Sequence, residues 1–203
     1  SFTNGEEGIN EHGLVAAMTF AIPKITEIKA GLNSVFLVRY LLEKCKTTKE
    51  GVAAIQSLPV SSNCNILIAD KSGDIVVIEC NPYQKHIRYP MVNEYGNKFI
   101  ITVNELLSSE MSVHKADQGD TFFSKERYST AENALLKLKD NPIDNAKAIL
   151  SGKCGFMCQY PKRLNFETIW ATIFNLSDLS VYRAEGNPQK VQFSKDNRLV
   201  DCL

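Results

Sequence analysis

The chain has 203 residues, 44 % of them hydrophobic, and balances 23 Lys and Arg against 23 Asp and Glu. A chain of that size can bury one substantial core, so a single domain over residues 1–203 is expected, and zero net charge gives no electrostatic case for a nucleic-acid or membrane-surface partner. No apolar run approaches the roughly 20 residues of a membrane helix, and no secretory signal is expected.

The opening "SFTNGEEG" has no initiator Met and already reads as structured sequence, so a processed or truncated product is expected. Next, "EGINEHGLVAAMTF" places Asn10 to Gly13 between two strand-like runs. An Asn can bond its own turn backbone, and a closing Gly takes positive φ without steric cost. The cluster of Asn10, Glu11 and His12 is therefore read as a hairpin loop, with Glu11 and His12 facing solvent, rather than as a catalytic group. "SVFLVRYLLEKC" carries Val35, Phe36, Val38, Leu41, Leu42 and Cys45 at helical spacing. "TTKEGVAAIQSLP" opens with a capping box, Thr47 with Glu50, and stops at Pro59.

Two further hairpins follow the pattern of the first. "LIADKSGDIVVIE" has its turn at Asp70 to Gly73, and "IFNLSDLSVYRAE" at Asn175 to Asp178. Strands are predicted over 65–69, 75–79, 86–89, 99–103, 168–174 and 181–184. Trp170 and Phe174 alternate with Thr168 and Thr172, which predicts a strand with one apolar, core-facing side. "FFSKERYSTAENALLKLKDNP" and "NPIDNAKAILSG" read as helices, the second with Asn141 as cap, Pro142 in its first turn and Gly152 as terminator. Hairpins bracketed by amphipathic helices imply an α+β layered architecture.

Six cysteines, Cys45, Cys64, Cys80, Cys154, Cys158 and Cys202, stand in mixed surroundings. Without an export signal they are expected as reduced thiols of a cytoplasmic protein. "CGFMC" has no companion pair at finger-like spacing, and His12, His86 and His114 show no metal pattern, so buried thiols and surface or loop histidines are expected. No phosphate-cradling glycine loop or dinucleotide fingerprint occurs, and no cofactor is expected.

The ordered set "EEGINEHGLVAAM", a helix pair, "NILIADKSGDIVVIECNP", "FIITVNELLSSEM", "SKERYS" and "TIWATIFNLSDLSVYRAEGNP" resembles consecutive blocks of the choloylglycine hydrolase family. That family includes bile salt hydrolases and penicillin V acylases, and is related to acyl-CoA:6-aminopenicillanic acid acyltransferases. The resemblance runs through essentially the whole chain. It implies an N-terminal nucleophile hydrolase of linear amide C–N bonds, built as a four-layer αββα sandwich. Such chemistry needs an N-terminal Cys whose own α-amine, with a reference pKa of about 7.7–8.0, shuttles the proton. The resemblance puts that Cys, with an Arg and an Asp near it, upstream of "GINEHGL". On this reading the chain is the larger, C-terminal part of such an enzyme, incomplete at its N-terminus and inactive alone. A rival makes Ser1 the nucleophile, although Asn4 and Gly5 follow it almost at once and suit a strand poorly.

The resemblance assigns two catalytic residues. Asn104, at a strand end in "IITVNELL", would offer its side-chain N–H₂ to the oxyanion, and Arg127, in "SKERYS", would hold the sulfur as thiolate and orient carboxylates. Without it, Asn104 reads as a residue that ends a strand and caps the next turn, and Arg127 as a solvated helix residue; Lys125 and Arg88 gain no role. Bile salt hydrolases carry an Asn where this chain has Thr19 and Phe20, so these two are assigned to substrate binding and bile salts themselves become a poor expectation. The expected reaction is bacterial amide hydrolysis on a small-molecule acyl amide, with acyl transfer or a non-catalytic scaffold as alternatives. A sheet lacking an inner strand would expose apolar surface, so a homo-oligomer, or association with the N-terminal segment, is expected.

Overall fold

The structure, a computed structural model, describes residues 5–117 and 119–198. Ser1 and Cys202 lie outside them. The chain divides into two compact units, one running through Met91 and resuming over Thr102–Ser124, the other made of Val92–Ile101 and the residues from Lys125 onward.

The first unit is built on a five-stranded antiparallel sheet in the order β1-β2-β3-β4-β5. Its strands are β1 (Glu7–Ile9), β2 (Leu14–Phe20), β3 (Cys64–Asp70), β4 (Ile75–Cys80) and β5 (Lys85–Arg88). Helices α1 (Ser34–Lys44) and α2 (Thr48–Ser57) connect β2 to β3 and cover one face. The period of two along each strand decides which residues meet them. Leu14 and Ala16 of β2, Cys64, Ile66 and Ile68 of β3, and Val76, Ile78 and Cys80 of β4 form one core with Leu37, Val38, Leu41 and Ile55 of the helices. The buried stripe of α1 thus includes Leu37, whereas Phe36, expected on it, is 42 % exposed.

The turn at Asn10 is scaffold, as expected, and does more than close a hairpin. Its Oδ1 accepts from the amides of His12 and Leu14, at 3.1 and 3.0 Å, while its Nδ2 donates to the carbonyls of Leu42 and Cys45. One side chain therefore fixes the hairpin and satisfies the last carbonyls of α1, which have no partner within the helix. Gly13 takes φ +79° to complete the turn. Asp70 repeats the device at the second hairpin: it accepts from Ser72 in its own turn and from the amide of Thr48, the first residue of α2. Thr47 caps α2 through Glu50 N, and Glu50 reaches back to the amide of Lys46.

The second unit holds a three-stranded antiparallel sheet, β10-β9-β8, numbered after β6 (Met91–Val92) and β7 (Lys98–Phe99). It comprises β8 (Ala171–Asn175), β9 (Ser180–Ala184) and β10 (Ser194–Lys195), with α3 (Ser124–Leu136) and α4 (Pro142–Leu150) before it in sequence. A turn not singled out from sequence, "NEYG", copies "NEHG": Asn93 accepts from Tyr95 N and Asn97 N and donates to the carbonyls of Leu135 and Leu138. Gly152 ends α4 at φ +73° as expected. Asn141 precedes α4 in left-handed geometry and makes no side-chain capping bond, so Pro142 sets the start instead.

Three expectations are corrected. The strand predicted over 99–103 stops at Phe99, because the carbonyl of Val103 is taken by side chains of β2 and β3 instead of a ladder partner. Trp170 lies before β8, outside the ladder, and is 37 % exposed, while every residue of β8 itself is half-buried. His114, expected at the surface, is buried; its ring bonds Glu27 at 2.9 Å and stacks on Tyr83.

Candidate active site

The β1–β5 sheet carries, on the face away from α1 and α2, a polar row that runs across the strands. Register places Thr19 of β2 opposite Asn65 of β3, Asn65 opposite Glu79 of β4, and Glu79 opposite His86 of β5. Side chains of directly paired residues share a face. These four residues hold the segment from Val103 to Glu110 in order. The Thr19 hydroxyl donates to Val103 O at 2.7 Å. Asn65 Nδ2 donates to Val103 O at 2.9 Å and Glu105 O at 3.1 Å, and to Thr19 Oγ1 at 3.0 Å. The Glu79 carboxylate accepts from Leu107 N at 2.7 Å, from Ser108 N at 3.1 Å and from the Ser108 hydroxyl. His86 Nε2 lies 3.8 Å from Glu110.

Asn104 sits at the apex of this segment, between Val103 and Glu105, which form a tight reversal. It is half-buried, and its Nδ2 donates to Phe20 O, at the end of β2, at 2.9 Å. Phe20, the residue after Thr19, is 40 % exposed and by the alternation of β2 turns its side chain to the opposite face from Thr19. The structure thus brings together Asn104, Thr19 and Phe20, three of the four residues singled out from sequence. Arg127 stands on α3 of the other unit, half-buried.

Sequence reasoning missed Asn65 and Glu79, both wholly buried. A fully buried carboxylate is rare unless charge and hydrogen bonds satisfy it. Glu79 has both, since Arg88 Nη1 approaches to 3.5 Å in addition to the amides above. The signal was present: "CNILIA" and "VVIEC" each put one strongly polar residue inside an apolar strand.

Four of the five described cysteines are buried and all five are free thiols. Burial pushes the Cys45 and Cys158 thiols up, and a hydrogen bond with Cys64, opposite it across β3 and β4, together with burial, holds Cys80 well above the usual thiol range. A nucleophile needs the thiolate, so these three environments oppose that role. Cys154, in the turn after α4, is exposed. Among the described residues no group of His, Cys, Asp and Glu could hold a metal ion, and no helix is long and apolar enough to cross a membrane. The second unit has an open cleft of about 560 Å³, lined among others by Tyr160, Lys162, Phe166, Glu167 and Lys190.

The family model described as acyl-coenzyme A:6-aminopenicillanic acid acyl-transferase matches residues 2–190. The chain belongs to this family. Its fold is shared with penicillin V acylase from Agrobacterium tumefaciens, at a TM-score of 0.57 and 18 % identity, over 90 % of this chain and 63 % of that one. Two variants of conjugated bile acid hydrolase from Clostridium perfringens align with TM-scores of 0.64 and 0.63, at 12 % and 14 % identity, over 95 % of this chain and 72 % of theirs. The chain therefore spans under two thirds of the length of the penicillin V acylase. No curated protein matches the sequence. The α+β class with antiparallel sheets, and the N-terminal nucleophile hydrolase fold, are as read from the sequence.

Proposed function

We propose that the 203 residues are the C-terminal portion of an amidohydrolase that cleaves linear amide C–N bonds, and that the attacking sulfur belongs to an N-terminal Cys upstream of them. The observation that carries this reading is the fastened turn at Asn104, in a chain of an acyl-transferring family. The free amine of the upstream Cys takes the thiol proton, and the sulfur bonds the acyl carbon. Negative charge then builds on the former carbonyl oxygen, and Asn104 donates to it. Collapse breaks the C–N bond, the amine leaves with the shuttled proton, and water hydrolyses the thioester to release the acid. A preorganised donor of this kind is worth about 10²–10³ in rate.

Arg127 keeps the sulfur as thiolate through its guanidinium. Thr19, whose hydrogen is given to Val103 O, shapes the substrate wall, and Phe20 takes part through its backbone, where its carbonyl accepts from Asn104. The protein works in a bacterial cytoplasm, a setting in which five free thiols persist. It closes its sheet with the upstream segment or with a second copy of the chain.

The family match favours one second reading, an acyltransferase in which an amine outcompetes water for the same thioester. Both are tested on the full gene product with penicillin V, a conjugated bile acid and simple N-acyl amides. Released amine and acid, with an acyl adduct on the N-terminal Cys by intact mass, support hydrolysis. Acyl transfer from a thioester donor to 6-aminopenicillanic acid faster than water attack supports the second reading. Absence of both, with no adduct, leaves a non-catalytic scaffold.

A further inference from the structure

We infer that Asn65 is a positioning residue for the oxyanion donor Asn104, a role that rests on the reading of Asn104 given above. Asn65 lies in β3 between Cys64 and Ile66, wholly buried within a largely apolar strand. Its Nδ2 has two hydrogens and faces three acceptors: Thr19 Oγ1, Val103 O and Glu105 O. The last two are the carbonyls on either side of Asn104. Its own Oδ1 finds no partner among the described residues. Buried polar groups are ordinarily satisfied, and an orphaned acceptor is a net cost to folding. That cost is offset by what the amide N–H₂ holds, the two carbonyls that flank Asn104.

What it holds is a two-point clamp. Fastening the carbonyls of residues 103 and 105 to a central strand fixes the backbone from which Asn104 projects. The Asn104 side chain is then trained by a third bond, from its Nδ2 to Phe20 O on the neighbouring strand. Thr19 adds a fourth by donating to Val103 O. The sheet, rather than the loop, thus sets the orientation of the donor, and rigid elements hold catalytic groups more accurately than loops do. A displacement of about 1 Å in such a group can cost about 10²-fold in rate.

The test is a double-mutant cycle on the full gene product, using the best-cleaved member of the panel that includes penicillin V, with kcat and KM read separately. Asn104→Ala is expected to lower kcat by about 10²–10³-fold and Asn65→Ala by about 10²-fold, each with KM unchanged. Because Asn65 acts only through Asn104, the double variant is expected to be no slower than Asn104→Ala alone. If Asn65→Ala does not fold, Asn65→Leu fills the space without donors and carries the same cycle. Losses that multiply in the double variant, or an Asn65 variant that folds and keeps full kcat, overturn the positioning role while leaving Asn104 as the donor. An Asn104→Ala enzyme with unchanged kcat overturns the underlying reading and this inference with it.

Discussion

Replacing Glu79 by Ala separates the anchored loop from the sheet. The carboxylate is wholly buried and serves three donors of one segment: Leu107 N at 2.7 Å, Ser108 N at 3.1 Å and the Ser108 hydroxyl. It also faces Arg88 Nη1 at 3.5 Å. Each donor left buried without a partner costs about 1–3 kcal/mol. Leu107 and Ser108 are half-buried, so water reaches part of what is exposed and the low end applies. Adding the loss of one carboxylate beside the Arg88 guanidinium, the total is about 3–5 kcal/mol. For a chain of this length that is a fall in Tm of about 10 °C. Glu79→Gln keeps one acceptor oxygen and is expected to cost about half as much, ~2 kcal/mol. Urea unfolding followed by circular dichroism reads both, with the midpoint shifted and the slope unchanged. Hydrogen exchange locates the effect, because the amides of Leu107 and Ser108 lose protection ahead of the β3–β4 ladder. A Glu79→Ala protein within about 1 kcal/mol of the parent, with those amides still protected, would refute the reasoning.

Asp70 gives the pH dependence. Burial acts to raise its pKa, but bonds from Ser72 and Thr48 outweigh burial and hold the carboxyl below its usual value. A lowered folded pKa means that its stabilisation is present above the unfolded pKa of about 3.9 and is lost as pH falls through the folded value. The stability difference between the parent and Asp70→Asn is therefore expected to be constant above about pH 5 and to shrink below about pH 4. A difference that grows on acidification contradicts the assignment. Among the described cysteines, Cys154 is expected to react first with a thiol reagent in the native state, and Cys45, Cys64, Cys80 and Cys158 only on unfolding. Peptide mapping after brief alkylation reads this, and early labelling at Cys80 would contradict the burial.

Local chemistry was legible in the sequence. Asn10 with Gly13, Asp70 with Gly73 and Thr47 with Glu50 act within a few residues of themselves, so their spacing alone foretells turn and cap. Even there the second half of the device was hidden, since Asn10 also closes α1 from 32 and 35 residues away. The row of Thr19, Asn65, Glu79 and His86 was not legible, because it exists only through the register of four strands. The segment it holds reads as a strand over 99–103 by composition, and it is the row that diverts Val103 from a ladder. Asn104 was reached through resemblance, and its neighbours Asn65 and Glu79 could have been reached as polar residues inside apolar strands. Trp170 was not legible because the alternation continues past the point where the ladder begins: β8 starts at Ala171, and its residues are half-buried on both faces.

The account depends most on whether Asn104 stabilises an oxyanion in an amide-cleaving enzyme. The direct measurement is steady-state turnover of the full gene product on its best acyl amide, before and after Asn104→Ala. The account predicts a fall in kcat of about 10²–10³-fold at unchanged KM, in a protein with the parent's Tm. Turnover that survives the substitution intact, or no amide cleaved across the panel, contradicts it.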